Sequence, residues 1–224
     1  MLTVLAALQS EAETLLSLSR NVRERAAFGK KIYEGEFDAP YRLILTGVGK
    51  SDAAAGAMLG AALDDGGQTV LLNIGVAGGL NGRAPVGSVL QIGRAVQFDF
   101  DLSKINGTPV GTLNEYKTPY LPLAVRGSGA FPRAALGSAD RFGDGRDADL
   151  LRDLAADVQD MEGAAIAHVA DLAGIPLFMF KAISDNAQEE SVREYRENLR
   201  IALDALRGRM REIFAEALGG EEAQ

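Results

Sequence analysis

The chain has 224 residues, 47% of them hydrophobic, and a formal net charge of −8. That length buries one sizeable core and is short for two, and the acidic balance without a dense basic cluster argues against a nucleic-acid partner. With no cysteine and one histidine, His168, disulfide frameworks, Cys/His zinc sites and cysteine nucleophiles are excluded.

The opening MLTVLAALQSEAETLL has no basic start and meets Glu11 and Glu13 early, so it resembles neither a signal peptide nor a membrane span. A cytoplasmic protein with no membrane partner is expected. Residues 2–8 read as a strand and 11–19 as a helix. YRLILTGV, 41–48, is a second strand, followed by a helix over 51–64 whose small residues suit close packing on a sheet. TVLLNIGV, 69–76, and SVLQIGRAVQFDF, 88–100, read as strands, and the proline-bearing stretch 104–135 as irregular. Helices are expected over 147–156 and 161–173, the second with Asp160 as N-cap and Gly174 as its stop. PLFMFKAI, 176–183, is the last strand. A final helix over 191–218 carries an apolar stripe at Leu199, Leu203, Leu206, Met210 and Ile213 and ends at Gly219 and Gly220. The alternation predicts an α/β fold: one domain over 1–220 with a central, twisted, mainly parallel (mixed) sheet covered by helices, and a short acidic tail at 221–224.

In an open parallel sheet, ligands bind beyond the carboxyl ends of the strands. Glu11 follows the first strand, TGVGKS the second, NIGVAGGL the third, and Ser184 and Asp185 the last. Glu162, opening the helix that leads into the last strand, joins them. It stands among alanines on a face with Ile166 and Val169, and two readings are open: an anion favoured by the helix dipole in a hydrated first turn, or a carboxylate with a task. GVGKS lacks the gap of a phosphate-binding P-loop and reads as a helix start. The glycines of GVAGG suit a tight turn or the close approach of a flat ligand. His168, alone among alanines, reads as structural.

The segments ALQSEAETLL, TGVGKSDAAAGA, NIGVAGGL, FDFDLS, GSADRF, DMEGAAIAHVADL and KAISDNA, in that order, are similar to the nucleoside phosphorylase and nucleosidase superfamily. They most resemble 5′-methylthioadenosine/S-adenosylhomocysteine nucleosidases, from residue 2 to about 200, with DMEGAA and AISD the most specific parts. The resemblance implies a nucleoside phosphorylase-like fold and hydrolysis of the bond between adenine and a 5′-thio-substituted ribose, with no metal or organic cofactor. It makes Asp185 the general acid toward N7 of adenine, Glu162 the partner of the ribose hydroxyls, and Glu11 the residue that orients or deprotonates water. It further places Phe142 against the base, Ala77 and Gly78 along its pocket, Met161 under the ribose, and Leu8, Val48 and Tyr195 around the 5′-alkylthio group. Ser184 belongs to the same set, and Lys181 stands near the water, where many relatives have arginine. A homodimer is implied, with residues 104–122 of the partner completing the pocket.

Val76 replaces a serine or threonine of many relatives, and Gly143 a bulkier residue, which leaves the 5′ substituent open to futalosine-type nucleosides. A phosphorylase on the same fold needs an arginine and a hydroxyl on the third-strand loop, where this chain is expected to place Asn73 and Val76; neither replaces a guanidinium fork. A non-catalytic nucleoside-binding protein is the remaining alternative, and retention of all three carboxylates argues against it.

Overall fold

The computed structural model describes residues 1–63, 69–127, 129–188 and 191–219, so the tail expected at 221–224 lies outside the described residues. Ten strands are described: β1 Leu2–Ala6, β2 Arg20–Ala27, β3 Lys30–Glu36, β4 Pro40–Leu45, β5 Val70–Gly79, β6 Val89–Gln97, β7 Leu121–Pro122, β8 Arg133–Ser138, β9 Val158–Asp160 and β10 Leu177–Asp185. The helices are α1 Gln9–Leu16, α2 Lys50–Ala62, α3 Ser103–Asn106, α4 Ala148–Asp153, α5 Gly163–Ala173, α6 Ser191–Gly208 and α7 Met210–Leu218.

The expected strands form in place. Successive side chains of a strand point to opposite faces, and β1 shows this directly: Leu2, Val4 and Ala6 enter one core with Leu15 of α1, Leu206 of α6 and Phe214 of α7. Leu5 enters the other with Ala57 of α2 and Ile166 of α5. Burial on both faces explains the unbroken apolar runs from which the strands were read. Gly56 of α2 lies so close to β4 that a Cβ there would stand 2.5 Å from Thr46 Cγ2, so the small residues of this helix serve close packing.

The sheet is mixed, with parallel and antiparallel strand pairs in equal number among the described residues. β1 runs parallel to β4 and β5, β5 to β10, and β8 to β6 and β9. Antiparallel pairs join β2 to β3, β3 to β4, β5 to β9, β6 to β7 and β6 to β10. Because β5 pairs with both β9 and β10, the strands β5, β10, β6, β8 and β9 close on themselves, with β1, β4, β3 and β2 extending outward from β5. Irregular register between Ile92 and Arg94 and between Ile183 and Asp185 accompanies the closure, as bulges bend strands.

Several expected boundaries move. The region read as irregular ends in β8, and the final helix divides at Arg209, whose φ −102° and ψ 5° are not helical. Gly208 before it weakens the helix there, while Arg209 Nη2 donates to Ala130 O at 2.8 Å. α5 starts at Gly163, with Glu162 in the N-cap position at φ −133°, ψ −40°. Asp160 belongs to β9 and caps from outside the helix, accepting the N–H groups of Glu162 at 3.2 Å and Gly163 at 3.1 Å on Oδ1. The stop at Gly174 holds, with φ 65°. His168 meets Tyr116, Nδ1 to hydroxyl 3.1 Å, a structural contact away from the strand ends described next. Among the described residues no helix is long and apolar enough to cross a membrane.

Candidate active site

The carboxyl ends of β1, β4, β5 and β10 open onto a cavity of about 220 Å³. Every expected catalytic and substrate-binding position except Lys181 lines it: Glu11, Glu162, Asp185, Leu8, Val48, Ala77, Gly78, Phe142, Met161, Ser184 and Tyr195. Ala7, Val76, Arg141, Gly143, Gln159, Asp160 and Ala187 line it as well. Of these Arg141 and Gln159 went unremarked in the sequence; Arg141 sits inside the motif GSADRF, whose order was its one available signal.

Glu11 occupies the third position of α1, from which its side chain reaches back over the helix start. Oε2 accepts N–H groups from Ala7 and Leu8, both at 2.9 Å, and Oε1 accepts that of Val76 at 2.8 Å. A Cβ on Gly75 would stand 2.7 Å from Oε1, so a glycine is needed behind this carboxylate. Burial pushes its pKa above the ordinary value against the opposing pull of Lys181 and the three N–H donors.

Glu162 projects from the N-cap of α5 to the loop after β4, where Gly49 N–H donates to Oε1 at 2.8 Å. The second glycine of GVGKS therefore presents its amide to a protein carboxylate. Burial first, and the negative charge of Asp160 second, push Glu162 up to about 7. The hydrated-first-turn reading does not hold, since the residue is 8% exposed.

Asp185 ends β10. Ser184 Oγ donates to Oδ2 and Ala187 N–H to Oδ1, both at 2.9 Å. Burial raises its pKa above its ordinary value, against those two donors. Gly78 faces it across the sheet, and a Cβ there would lie 2.8 Å from Oδ1. At the rim, Phe142 and Tyr195 meet edge to face with centroids 5.5 Å apart.

Lys181 does not itself line the cavity: it is 2% exposed, its Nζ pairs at 2.9 Å with Oδ2 of the lining residue Asp160, and its charge acts on Glu11. Asn73 departs too: it is buried in mid-strand, its amide donates to Leu5 O at 3.0 Å, and it does not line the cavity. Val76 does.

A layered α/β protein with a partly closed mixed sheet and a carboxylate-lined cavity at its strand ends is the class these features define. The model of the phosphorylase superfamily matches residues 2–215, and the chain belongs to that superfamily. It is 30% identical over 215 residues to a 5′-methylthioadenosine/S-adenosylhomocysteine nucleosidase of Haemophilus ducreyi, covering 90% of this chain and 91% of the relative. In fold it is similar to the nucleosidase of that name from Neisseria meningitidis in complex with methylthio-immucillin-A, at a TM-score of 0.84 and 24% identity over 95% of this chain and 97% of the other. A futalosine hydrolase of Helicobacter pylori is as similar in fold, with a TM-score of 0.85 and 21% identity over 95% and 96%.

Proposed function

We propose that the chain is a nucleosidase that hydrolyses the N-glycosidic bond of 5′-methylthioadenosine and S-adenosylhomocysteine and releases adenine. The name of the relative from Haemophilus ducreyi supports that substrate class. The observation that carries the reading is the gathering of Glu11, Glu162 and Asp185 around one cavity, with each residue at most 8% exposed and its carboxylate fixed by backbone N–H groups.

In this reading the purine lies between Phe142 and the strand segment Ala77–Gly78. Asp185, whose pKa burial raises above its ordinary value, gives its proton to N7, and the bonding pair of the C1′–N9 bond leaves with the base. Positive charge grows on the sugar, and Glu162, hydrogen-bonded to the ribose hydroxyls over Met161, offsets it. Glu11 holds a water and takes its proton as oxygen bonds to C1′. Burial, which raises its pKa above the ordinary value, makes it a stronger base than a solvated carboxylate. Ser184 orients the acid. Lys181 acts from behind the wall, by holding Asp160 and placing positive charge near Glu11.

Leu8, Val48 and Tyr195 surround the 5′ substituent, and a homodimer brings residues 104–122 of the partner over it. Val48, 47% exposed beside the cavity, and Ile105, 81% exposed, are apolar surface that supports this arrangement. A cytoplasmic enzyme of methionine salvage is the setting this substrate class implies.

The test is adenine release in phosphate-free buffer from methylthioadenosine, adenosylhomocysteine, deoxyadenosine and aminodeoxyfutalosine. Turnover of the first two supports the reading. Preference for the last assigns the chain to the futalosine-type hydrolases, and release from none leaves a nucleoside-binding protein.

A further inference from the structure

Arg141 and Gln159 line the cavity without a task in that scheme, and Arg141 is already committed to Asp147, its Nε and Nη2 each 2.8 Å from a carboxylate oxygen. Gln159 lies in β9, opposite Gly78 of β5 and Gly137 of β8. It is 6% exposed, and among the described residues its amide nitrogen has no hydrogen-bond partner. A buried donor without an acceptor costs stability unless a bound molecule supplies one.

Its neighbours say which part of a ligand it meets. A Cβ on Gly143 would stand 3.0 Å from Gln159 Oε1 and 2.9 Å from the methyl of Ala187. A Cβ on Gly78 would stand 2.9 Å from that same methyl and 2.8 Å from Asp185 Oδ1. The amide, the methyl and the Asp185 carboxyl thus share one corner of the cavity, roofed by the loop that carries Phe142. Glu11 and Glu162 are tied to other walls, at Ala7, Leu8, Val76 and Gly49.

We infer that Gln159 reads the edge of the base, and that this corner accepts purines carrying either a 6-amino or a 6-oxo group. The inference rests on the nucleosidase reading for the placement of the base beside Asp185. A primary amide has a donor end and an acceptor end on a terminal torsion with a broad energy profile. With its nitrogen unanchored, a half-turn exchanges them: oxygen toward a 6-amino group, nitrogen toward a 6-oxo group. Asp185 is adaptable in the same way, as an acceptor when ionised and a donor when protonated. A fixed donor or a permanent charge in this position would select one base and reject the other by orders of magnitude.

The test uses calorimetry of the full chain with free adenine and free hypoxanthine, and hydrolysis of methylthioadenosine and methylthioinosine in phosphate-free buffer. Wild type is expected to bind the two bases within about tenfold of each other. Gln159→Leu weakens both by about tenfold, the equivalent of one hydrogen bond. Gln159→Glu, which lacks the donor end when ionised, moves the ratio at least about tenfold toward adenine. Gln159→Met, of similar length, repeats the first comparison if the leucine variant does not fold. Wild-type discrimination above about 10³, or apolar variants that leave both affinities unchanged, overturns the inference. Adenine release from methylthioadenosine with no binding of hypoxanthine sinks this inference and leaves the nucleosidase reading standing. Binding of both bases without cleavage of methylthioadenosine does the reverse.

Discussion

Lys181 and Asp160 form an ion pair of 2.9 Å whose side chains are 3% and 2% exposed, with Asp160 lining the cavity and Lys181 set behind it. Burial works against the lysine charge, and Asp160, Glu11 and Glu162 together outweigh it, leaving its pKa above the ordinary value. Asp160 accepts in addition from Ser138 Oγ at 2.5 Å and from the N–H groups that open α5. Removing the cation alone strands a buried anion, so Lys181→Met is expected to cost about 3–5 kcal/mol. The double variant Lys181→Met, Asp160→Asn is expected to recover part of that loss. Urea denaturation measures both, and a single variant within about 1 kcal/mol of wild type would deny the pair its structural weight.

Replacing Asp185 by Asn keeps the shape and the contacts with Ser184 and Ala187 but removes the dissociable proton. Turnover is expected to fall by about 10²-fold or more, with substrate binding affected less. Steady-state kinetics on methylthioadenosine decide it: an Asn variant within about threefold of wild type removes Asp185 from the general-acid role.

Glu162 gives stability a definite dependence on pH. Its folded pKa, about 7, lies above the ordinary glutamate value of 4.5, so between these two the folded protein binds more protons than the unfolded chain. Stability from this group is therefore fully present below about pH 4.5 and is lost as pH rises toward 7 and beyond. Glu162→Gln is neutral throughout and keeps an acceptor for Gly49 N–H. The Tm of this variant relative to wild type is expected to climb across that window and level off above it; a difference flat with pH would contradict the shift. The activity of the same variant should drop by about 10²-fold, because the charge opposite the developing cation is gone.

If the partner subunit completes the 5′ end of the pocket, specific activity is expected to fall on dilution below the dimer dissociation constant. Light scattering on the same samples supplies the mass, and a fully active monomer would refute the shared pocket.

The sequence made the two buried faces legible, because strands packed on both sides must be apolar throughout and helices between them must repeat at their own period. It did not reveal β2 and β3. β2 reads RNVRERAA with nearly every position exposed, β3 buries only Ile32 and Tyr33, and the two hold together through cross-strand pairs such as Arg25 with Glu34 at 3.2 Å. The closing strands β8 and β9 were hidden for another reason: six and three residues long, their place depends on partners distant in the chain, and no local pattern encodes a closed ring. The cavity was legible because strand order puts the carboxyl ends together. What sequence order cannot give is which side of a wall a residue takes, and Lys181, Asn73 and Gln159 are the three positions where that mattered. All lie on strands, where alternate residues face opposite ways.

The choice of acceptor is the sharpest test of the reading as hydrolysis. With Asn73 withdrawn into the core, the case against phosphate rests on what faces the cavity: Val76, which has no hydroxyl, and the Val76 N–H, which is already given to Glu11 Oε1 at 2.8 Å. A phosphate dianion at that wall would compete with a carboxylate for the same donor and would meet its charge in surroundings of low effective dielectric. Lys181 offers little relief, since its ammonium is paired with Asp160 at 2.9 Å and its charge is already set against Glu11. Water carries no such penalty. Adenine is therefore expected to be released at the same rate with and without phosphate, and the sugar product is expected to be free 5-methylthioribose, read by mass spectrometry of the quenched reaction. A rate that rises with phosphate, or 5-methylthioribose 1-phosphate as the main product, would transfer the chain to the phosphorolytic side of its superfamily.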